Sequence, residues 1–423
     1  MLRIFTAWML GLMGWLCLGV AFAQADKTKQ GEIISLQLDE VLRLALINSP
    51  DIKRVDAALA EKLAKATEIQ LPPNPELQVD ALVPSDKASD FRLTPSYAAE
   101  FTQPFRLSHL GMRQIYATAL KNTARIEQQA DLLRVLNETV LQYYRLWMLQ
   151  KREAILADSE KQAKEVTVRI SEAIENQETP STEANLFKAE AIRFGVELKA
   201  TQAERLQAQA DLLAAIGSPW KEIRLAPPDL RPIPEDRFKL TGFAQTRANL
   251  QRLVEQRQRA AARRYDVARL DIFPELSLRG LYDRSADGND ETWGAGLIVR
   301  IPIWDFNQAE VQRSKAEKAV ADADAQGLDR LTFDRIVEIR MKRATALQTR
   351  AQAYWNDVLP AYQKSYELSR YQFEQGQASM LQLWQVQQKV TEATDKALQN
   401  TVEALAARTL LEQAIGGKIE EIP

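Results

Sequence analysis

The side chains that most often do chemistry are scarce in this chain of 423 residues. His109 is the single histidine, so a zinc site built on two histidines is excluded, and no glycine-rich phosphate loop or nucleophile elbow is present. A lone histidine more often makes a structural hydrogen bond than a catalytic one. Beyond the leading apolar segment only Met112, Met148, Met341 and Met380 carry soft sulfur, too scattered for a metal relay. The one cysteine, Cys17, lies in that leading segment, so the rest of the chain forms no internal disulfide. No enzymatic activity, cofactor or metal site is expected. What recurs instead is a charge or polar group at alternate positions of apolar stretches: Asp80, Glu100, Arg279 and Arg300. Such groups offer solvation, because a row of them along one side of a strand keeps water beside it.

The stretches that carry them have period two. In "PELQVDALV" Leu77, Val79, Ala81 and Val83 alternate with Gln78 and Asp80; in "SYAAEFTQP" Tyr97, Ala99 and Phe101 alternate with Glu100 and Thr102. "PELSLRGLYD" and "WGAGLIVRIP" repeat the pattern around Arg279 and Arg300. Strands are expected at about 75–83, 96–104, 274–283 and 292–302. Their length of roughly nine or ten residues suits a tilted transmembrane strand, although a soluble, half-buried strand alternates in the same way. The intervening "PSDKASDFRLTP" and "RSADGND" are polar turn sequences. If these strands enter a bilayer, four are too few: hydrocarbon tolerates no open sheet edge, and bacterial barrels begin at about eight strands. Several copies must then share one barrel, eight strands from two or twelve from three, and only the larger leaves room for solutes. Pro104 and Pro302 are expected to end the ladder, since proline has no N–H to donate.

Straight after each strand pair the period becomes helical. Between Met112 and Thr179 there is neither proline nor glycine, and Leu133, Leu136, Val140, Tyr144 and Trp147 recur at steps of three and four. A helix is expected at about 111–175, and another at about 306–375 with irregularities at Gly327 and Pro360. Helices this long pack lengthwise as coiled coil, and their wide apolar faces suit neighbours on both sides, as in the wall of a tube. A long two-stranded coiled coil is the alternative for the helices taken alone.

Landmarks recur at one offset, which indicates duplication. Pro75 and Pro274 are 199 residues apart, Pro104 and Pro302 are 198, and Gly217 of "LLAAIGS" and Gly416 of "LEQAIGG" are 199. The expected organisation is a first repeat at 24–218, a proline-rich connector without helix or strand at 219–237, a second repeat at 238–417, and a tail at 418–423. Each repeat reads helix, strand, strand, long helix, tip, helix, the last helices running to 216 and 415. Residues 1–23 read as a secretory signal, with Arg3, an apolar run, and Ala21 and Ala23 framing a cleavage site; an uncleaved membrane anchor is the alternative. With 55 Lys+Arg against 57 Asp+Glu, no basic field for nucleic acid exists. No window in the mature chain approaches 18 consecutive apolar residues, so any membrane entry is by strands.

"ISLQLDEVLRLALINSPDI", the two strand-to-helix junctions, "RYQFEQGQASMLQLWQVQQ" and the terminal "LEQAIGG" together resemble the TolC-type outer-membrane efflux proteins. The compact length and short loops are most similar to the heavy-metal branch represented by CzcC and CusC. The resemblance implies a mainly α fold with a small β part: a homotrimer with a twelve-stranded barrel in the outer membrane and a periplasmic α-helical barrel of coiled coils. It implies a passive exit duct that docks on a periplasmic adaptor and an inner-membrane RND-type pump, with metal ions as one cargo. It places helix-hairpin tips at Asn176, Gln177, Thr179, Pro180 and Ser181 and at Phe373, Gly376, Gln377 and Ser379, facing the adaptor. Where TolC carries acidic gate rings this chain has Gln382 and Gln385, so gate charge would come from Glu175, Glu178 and Glu183. Asp80, Glu100, Arg279 and Arg300 would face the barrel lumen. A duct for type I protein secretion, and a periplasmic coiled-coil scaffold or adaptor, remain as alternatives.

Overall fold

The computed structural model describes residues 34–82, 96–175, 181–234, 236–247, 249–284, 290–328 and 330–419. In chain order the elements are β1 (Ile34–Leu36), α1 (Leu38–Asn48), α2 (Pro50–Gln70), β2 (Glu76–Leu82), β3 (Ser96–Phe105), α3 (Met112–Glu175), α4 (Ser181–Ala215) and β4 (Ile223–Leu225). There follow α5 (Arg237–Arg247), α6 (Asn249–Leu270), β5 (Glu275–Arg284), β6 (Glu291–Arg300), α7 (Gln308–Gly327), α8 (Arg330–Ala353), a π-turn (Tyr354–Val358), α9 (Leu359–Glu374) and α10 (Met380–Ile415).

Local chemistry sets these bounds. Pro50 opens α2 at a first-turn position where its missing N–H is not needed, and the chain leaves the helix at Leu71, just before Pro72 and Pro73. α3 runs unbroken for 64 residues, roughly 96 Å at 1.5 Å per residue. Its second-repeat counterpart is interrupted at the two expected places: α7 stops at Gly327, and a π-turn abuts Pro360. Gly217 and Gly416, which follow α4 and α10, both adopt the left-handed backbone that glycine reaches without strain.

Two sheets form. β1 and β4 pair in parallel, Ile34 opposite Ile223. β2, β3, β5 and β6 make a four-stranded antiparallel sheet in that order. Two expectations need correction. The connector does contain an element, β4, whose residues Ile223 to Leu225 lie between its prolines. Pro104 does not end its ladder: it sits inside β3 opposite Ser277, and pairing continues to Phe105 opposite Leu276. Proline fits there because β2 pairs only as far as Glu76 opposite Thr102, so that side of β3 needs no further donor. Pro302 lies two residues beyond the end of β6.

The chain packs as two compact units whose boundaries cut across the repeats, one within Met1–Ile47 and Gln142–Pro228, the other within Asn48–Leu141 and Asp229–Pro423. In the first, Tyr143, Leu146, Leu149, Leu212, Ile216 and Ile223 are fully buried. Gln150 clamps the connector there: its Nε2 donates to the Ile223 carbonyl at 2.7 Å and its Oε1 accepts from the Leu225 N–H at 3.1 Å. Gln209 Nε2 donates to the Lys221 carbonyl at 2.8 Å. The Tyr143 hydroxyl is 2.7 Å from the Ala226 carbonyl oxygen, and burial pushes its pKa up to about 12.

The second unit has a core from α5, α8 and α10, in which Leu240, Phe333, Val337, Ala344, Leu411 and Ile415 are sealed from solvent. Each fully buried Leu, Ile or Phe contributes about 1.5–3 kcal/mol. The connector is clamped here as well. Gln348 Nε2 donates to the Arg231 carbonyl at 2.9 Å while Gln348 Oε1 accepts from the Ile233 N–H at 3.2 Å, and Arg408 Nη1 also reaches the Arg231 carbonyl, at 2.7 Å. Gln150 and Gln348 are 198 residues apart, Gln209 and Arg408 are 199.

Candidate functional site

Directly opposed residues of an antiparallel pair share a face. Following the register across the sheet, Gln78 opposes Glu100, Thr102 opposes Arg279, Arg279 opposes Gly296, and Glu275 opposes Arg300. All four charges singled out in the sequence, Asp80, Glu100, Arg279 and Arg300, therefore lie on one face. Their charges are met locally. Arg279 Nη2 is 2.6 Å from Glu100 Oε2, Glu275 lies 2.7 Å from Arg106 and 3.5 Å from Arg300, and Gln78 donates to Asp80 at 2.9 Å. Gly294 and Gly296 stand opposite Leu281 and Arg279, which leaves room above β6 for those longer side chains.

The other face carries Leu77, Val79, Tyr97, Phe101, Leu276, Leu278, Trp293, Leu297 and Val299, all exposed. Leu77 is 70% exposed and Trp293 77%. A contiguous apolar surface of this kind marks a face that meets something other than water. Tyr282 and Trp293 pack across β5 and β6 as a tilted ring pair with centroids 4.6 Å apart. The outer sides of β2 and β6 have no strand partner among the described residues.

Below the sheet the chain turns into helix. After β3 a 3-10 turn, Leu107–His109, and Gly111 at φ 115° lead into α3; after β6, residues 301–307 end with Asn307 left-handed at φ 58°. The first junction is fixed by residues that sequence reasoning missed. Ser108 Oγ donates to Asp271, Arg113 Nη2 meets Asp271 Oδ2 at 2.6 Å, and Arg113 Nε donates to Ser108 Oγ at 2.8 Å. Asp271 lies 158 positions from Arg113, and no local sequence signal announces such a pair. His109 is placed beside this group, with Nε2 3.2 Å from the Leu71 carbonyl oxygen. Burial, with Arg113 nearby, holds its pKa below the ordinary histidine value, so at neutral pH it is an uncharged hydrogen-bond donor.

At the second hairpin tip Gly376, at φ 71°, lets the chain reverse: its N–H donates to the Phe373 carbonyl at 2.9 Å and the Gln377 N–H to that of Gln372 at 2.8 Å. Ser379 then caps α10 in a capping box with Gln382, whose side chain accepts from the Ser379 N–H at 3.0 Å. Gln382 is thereby engaged in starting a helix. Gln385 lines a groove of about 520 Å³ with Tyr362, Ser365, Gln388 and Lys389. Of the first tip, Asn176, Gln177, Glu178, Thr179 and Pro180 lie outside the described residues; Glu175 ends α3, Ser181 begins α4 and Glu183 follows in it, their side chains also outside that description. Among the described residues no helix is long and apolar enough to cross a membrane, and no group of three or more His, Cys, Asp or Glu is placed to hold a metal ion.

Comparison with known proteins bears on what a two-faced antiparallel sheet joined to long helices belongs to. Residues 244–417 match the family model described as outer membrane efflux protein. The chain is 23% identical over 416 residues to the pyoverdine export outer membrane protein OpmQ of Pseudomonas aeruginosa, covering 90% of this chain and 85% of that one. Among solved structures it is similar to the CmeC outer membrane channel of Campylobacter jejuni, with TM-score 0.75, 17% identity, and coverage of 90% and 85%. CusC follows with TM-score 0.72, 15% identity, and coverage of 92% and 96%. The chain thus resembles the TolC-type outer membrane efflux proteins, matching their family model over residues 244–417.

Proposed function

We propose that three copies of this chain form one passive exit duct, each supplying four strands to a twelve-stranded barrel and its long helices to a periplasmic α-barrel. The observation that carries this is the four-stranded sheet with one polar face, one exposed apolar face and, among the described residues, two outer sides without a partner strand. In hydrocarbon each unpaired backbone group costs several kcal/mol, so such a sheet enters a bilayer only by closing on copies of itself. Asp80, Glu100, Arg279 and Arg300 then face the water-filled lumen. The internal duplication supports pseudo-equivalent places for the two halves in the wall. The tips at 176–181 and 373–379 meet a periplasmic adaptor, and an inner-membrane RND-type pump supplies energy and selects cargo. A metal ion is the cargo expected from the likeness to the CzcC and CusC branch; an organic molecule is the cargo suggested by the name of OpmQ.

Fractionation tests the proposal. The protein is expected in the outer membrane, without residues 1–23, as an oligomer that survives mild detergent and falls to monomer on heating. A monomer released from the periplasm by osmotic shock would rule out the duct and favour a soluble scaffold.

A further inference from the structure

The two long-helix regions differ by one residue, and the structure shows where it sits. Gln150 and Gln348, each of which clamps the connector, are 198 positions apart. The residues preceding α4 and α10, Pro180 and Ser379, are 199 apart. One residue has therefore been gained between Gln348 and Ser379. In that interval lies the π-turn Tyr354–Val358, in which the Leu359 N–H reaches back five residues to the Tyr354 carbonyl. A single π-turn is how a helix houses one extra residue without ending.

Burial gives the same result. Along α3, Thr139 and Leu146, the counterparts of Val337 and Ala344 at the 198-residue offset, are buried at a step of seven. Along α8 and α9, Val337, Ala344, Ala351 and Leu359 are buried at steps of seven, seven and eight. The long step spans the π-turn, so both flanking helices keep their seams toward α10. Asn356 and Asp357 within the turn are exposed, and Pro360 just beyond it has no N–H to give the helix ladder. One side-chain bond ties the turn to its neighbour: Trp355 Nε1 donates to Thr401 Oγ1 at 2.9 Å, on the buried face of α10.

We propose that Tyr354–Val358 is a built-in joint, latched by Trp355 on Thr401, that lets α9 and the second tip reseat along the continuous α10 without dragging α8. α3 has no such break. The joint stands whether or not the chain is a duct.

Amide hydrogen exchange on the full-length protein in detergent tests this without any transport assay. Amides of 355–359 are expected to exchange at least about tenfold faster than those of 157–162 in α3. Equal rates would overturn the joint. Deleting Asn356 puts Leu359 seven residues after Ala351, so the seam stays in phase and the variant is expected to fold, with exchange at the former turn slowed to the α3 level. If that variant folds and still exchanges fast, the extra residue is not the cause. Trp355→Phe keeps an aromatic ring but removes the donor, and is expected to speed exchange at 355–359 severalfold while leaving 333–344 unchanged; no change at 355–359 would remove the latch.

Discussion

Arg279 and Glu100 are 179 residues apart in sequence and 2.6 Å apart across neighbouring strands, on the face that also carries Asp80 and Arg300. Both are about one-third exposed, so the pair tunes the character of a wet surface more than it stabilises the sheet. Arg279→Glu would place two carboxylates on opposed strands. In planar bilayers the reconstituted channel is expected to shift its reversal potential toward cations, by about threefold or more in permeability ratio. An unchanged potential would mean that this face does not line the conducting path.

Gln150 and Gln348 each satisfy one carbonyl and one N–H of the connector with a single amide. Leucine at either position keeps the bulk and removes both bonds, at about 1–3 kcal/mol for each buried group left unpaired. Lower melting temperatures are expected, with new protease cleavage near Ile223 for Gln150→Leu and near Ile233 for Gln348→Leu. Glutamate keeps the acceptor but sets a carboxylate against the connector carbonyl, so its loss should be at least as large as that of leucine.

Asp271 holds both Ser108 and Arg113 where β3 gives way to α3. Asp271→Ala strands the Arg113 guanidinium, which is only 17% exposed, and is expected to destabilise by about 2 kcal/mol, against less than about 1 for Ser108→Ala. The temperature at which the assembled species dissociates on a gel reads the difference. Equal losses would show that the guanidinium finds another partner.

Glu127 accepts from Lys62 at 2.7 Å and from Arg257 at 2.8 Å, tying α3 to α2 and α6. Partial burial opposes its ionisation, but the two cations prevail and hold its pKa below the usual 4.5. A carboxylate with a depressed folded pKa stabilises fully above its unfolded value, and the contribution is lost as pH falls through the folded one. Wild type is therefore expected to melt above Glu127→Gln at pH 7, and the two curves should converge as pH falls below the usual 4.5 and through the lower folded value. Divergence on acidification would reverse the sign and sink this reading.

Much of the architecture is legible because its periods are long. Sixty-four residues of α3 without proline or glycine admit one reading, and period two in four short stretches marks the strands and sorts Asp80, Glu100, Arg279 and Arg300 to one side. The capping box was also readable, since Ser379 with Gln382 three residues on is its signature, and it places a supposed gate residue in a structural bond. The extra residue of the second half was present in the landmark offsets as a change from 198 to 199, but an offset cannot say whether a loop or a helix absorbs it. Arg113 with Asp271, and Glu127 with Arg257, were illegible for a plainer reason: pairs more than a hundred residues apart form through the topology, and their neighbours in sequence carry no trace of them. Pro104 misled because a proline stops a ladder only where its N–H would have been used.

The bare margins of β2 and β6 bear on how the protein reaches its place. On the proposed reading, a solitary exported copy would display two strands without partners among the described residues, ready to accept any extended peptide, which in a crowded compartment invites clumping. On the proposed duct, insertion is a collective event whose rate climbs steeply with the number of copies present, and a cell making too few would accumulate stranded chains for its escorts and proteases to clear.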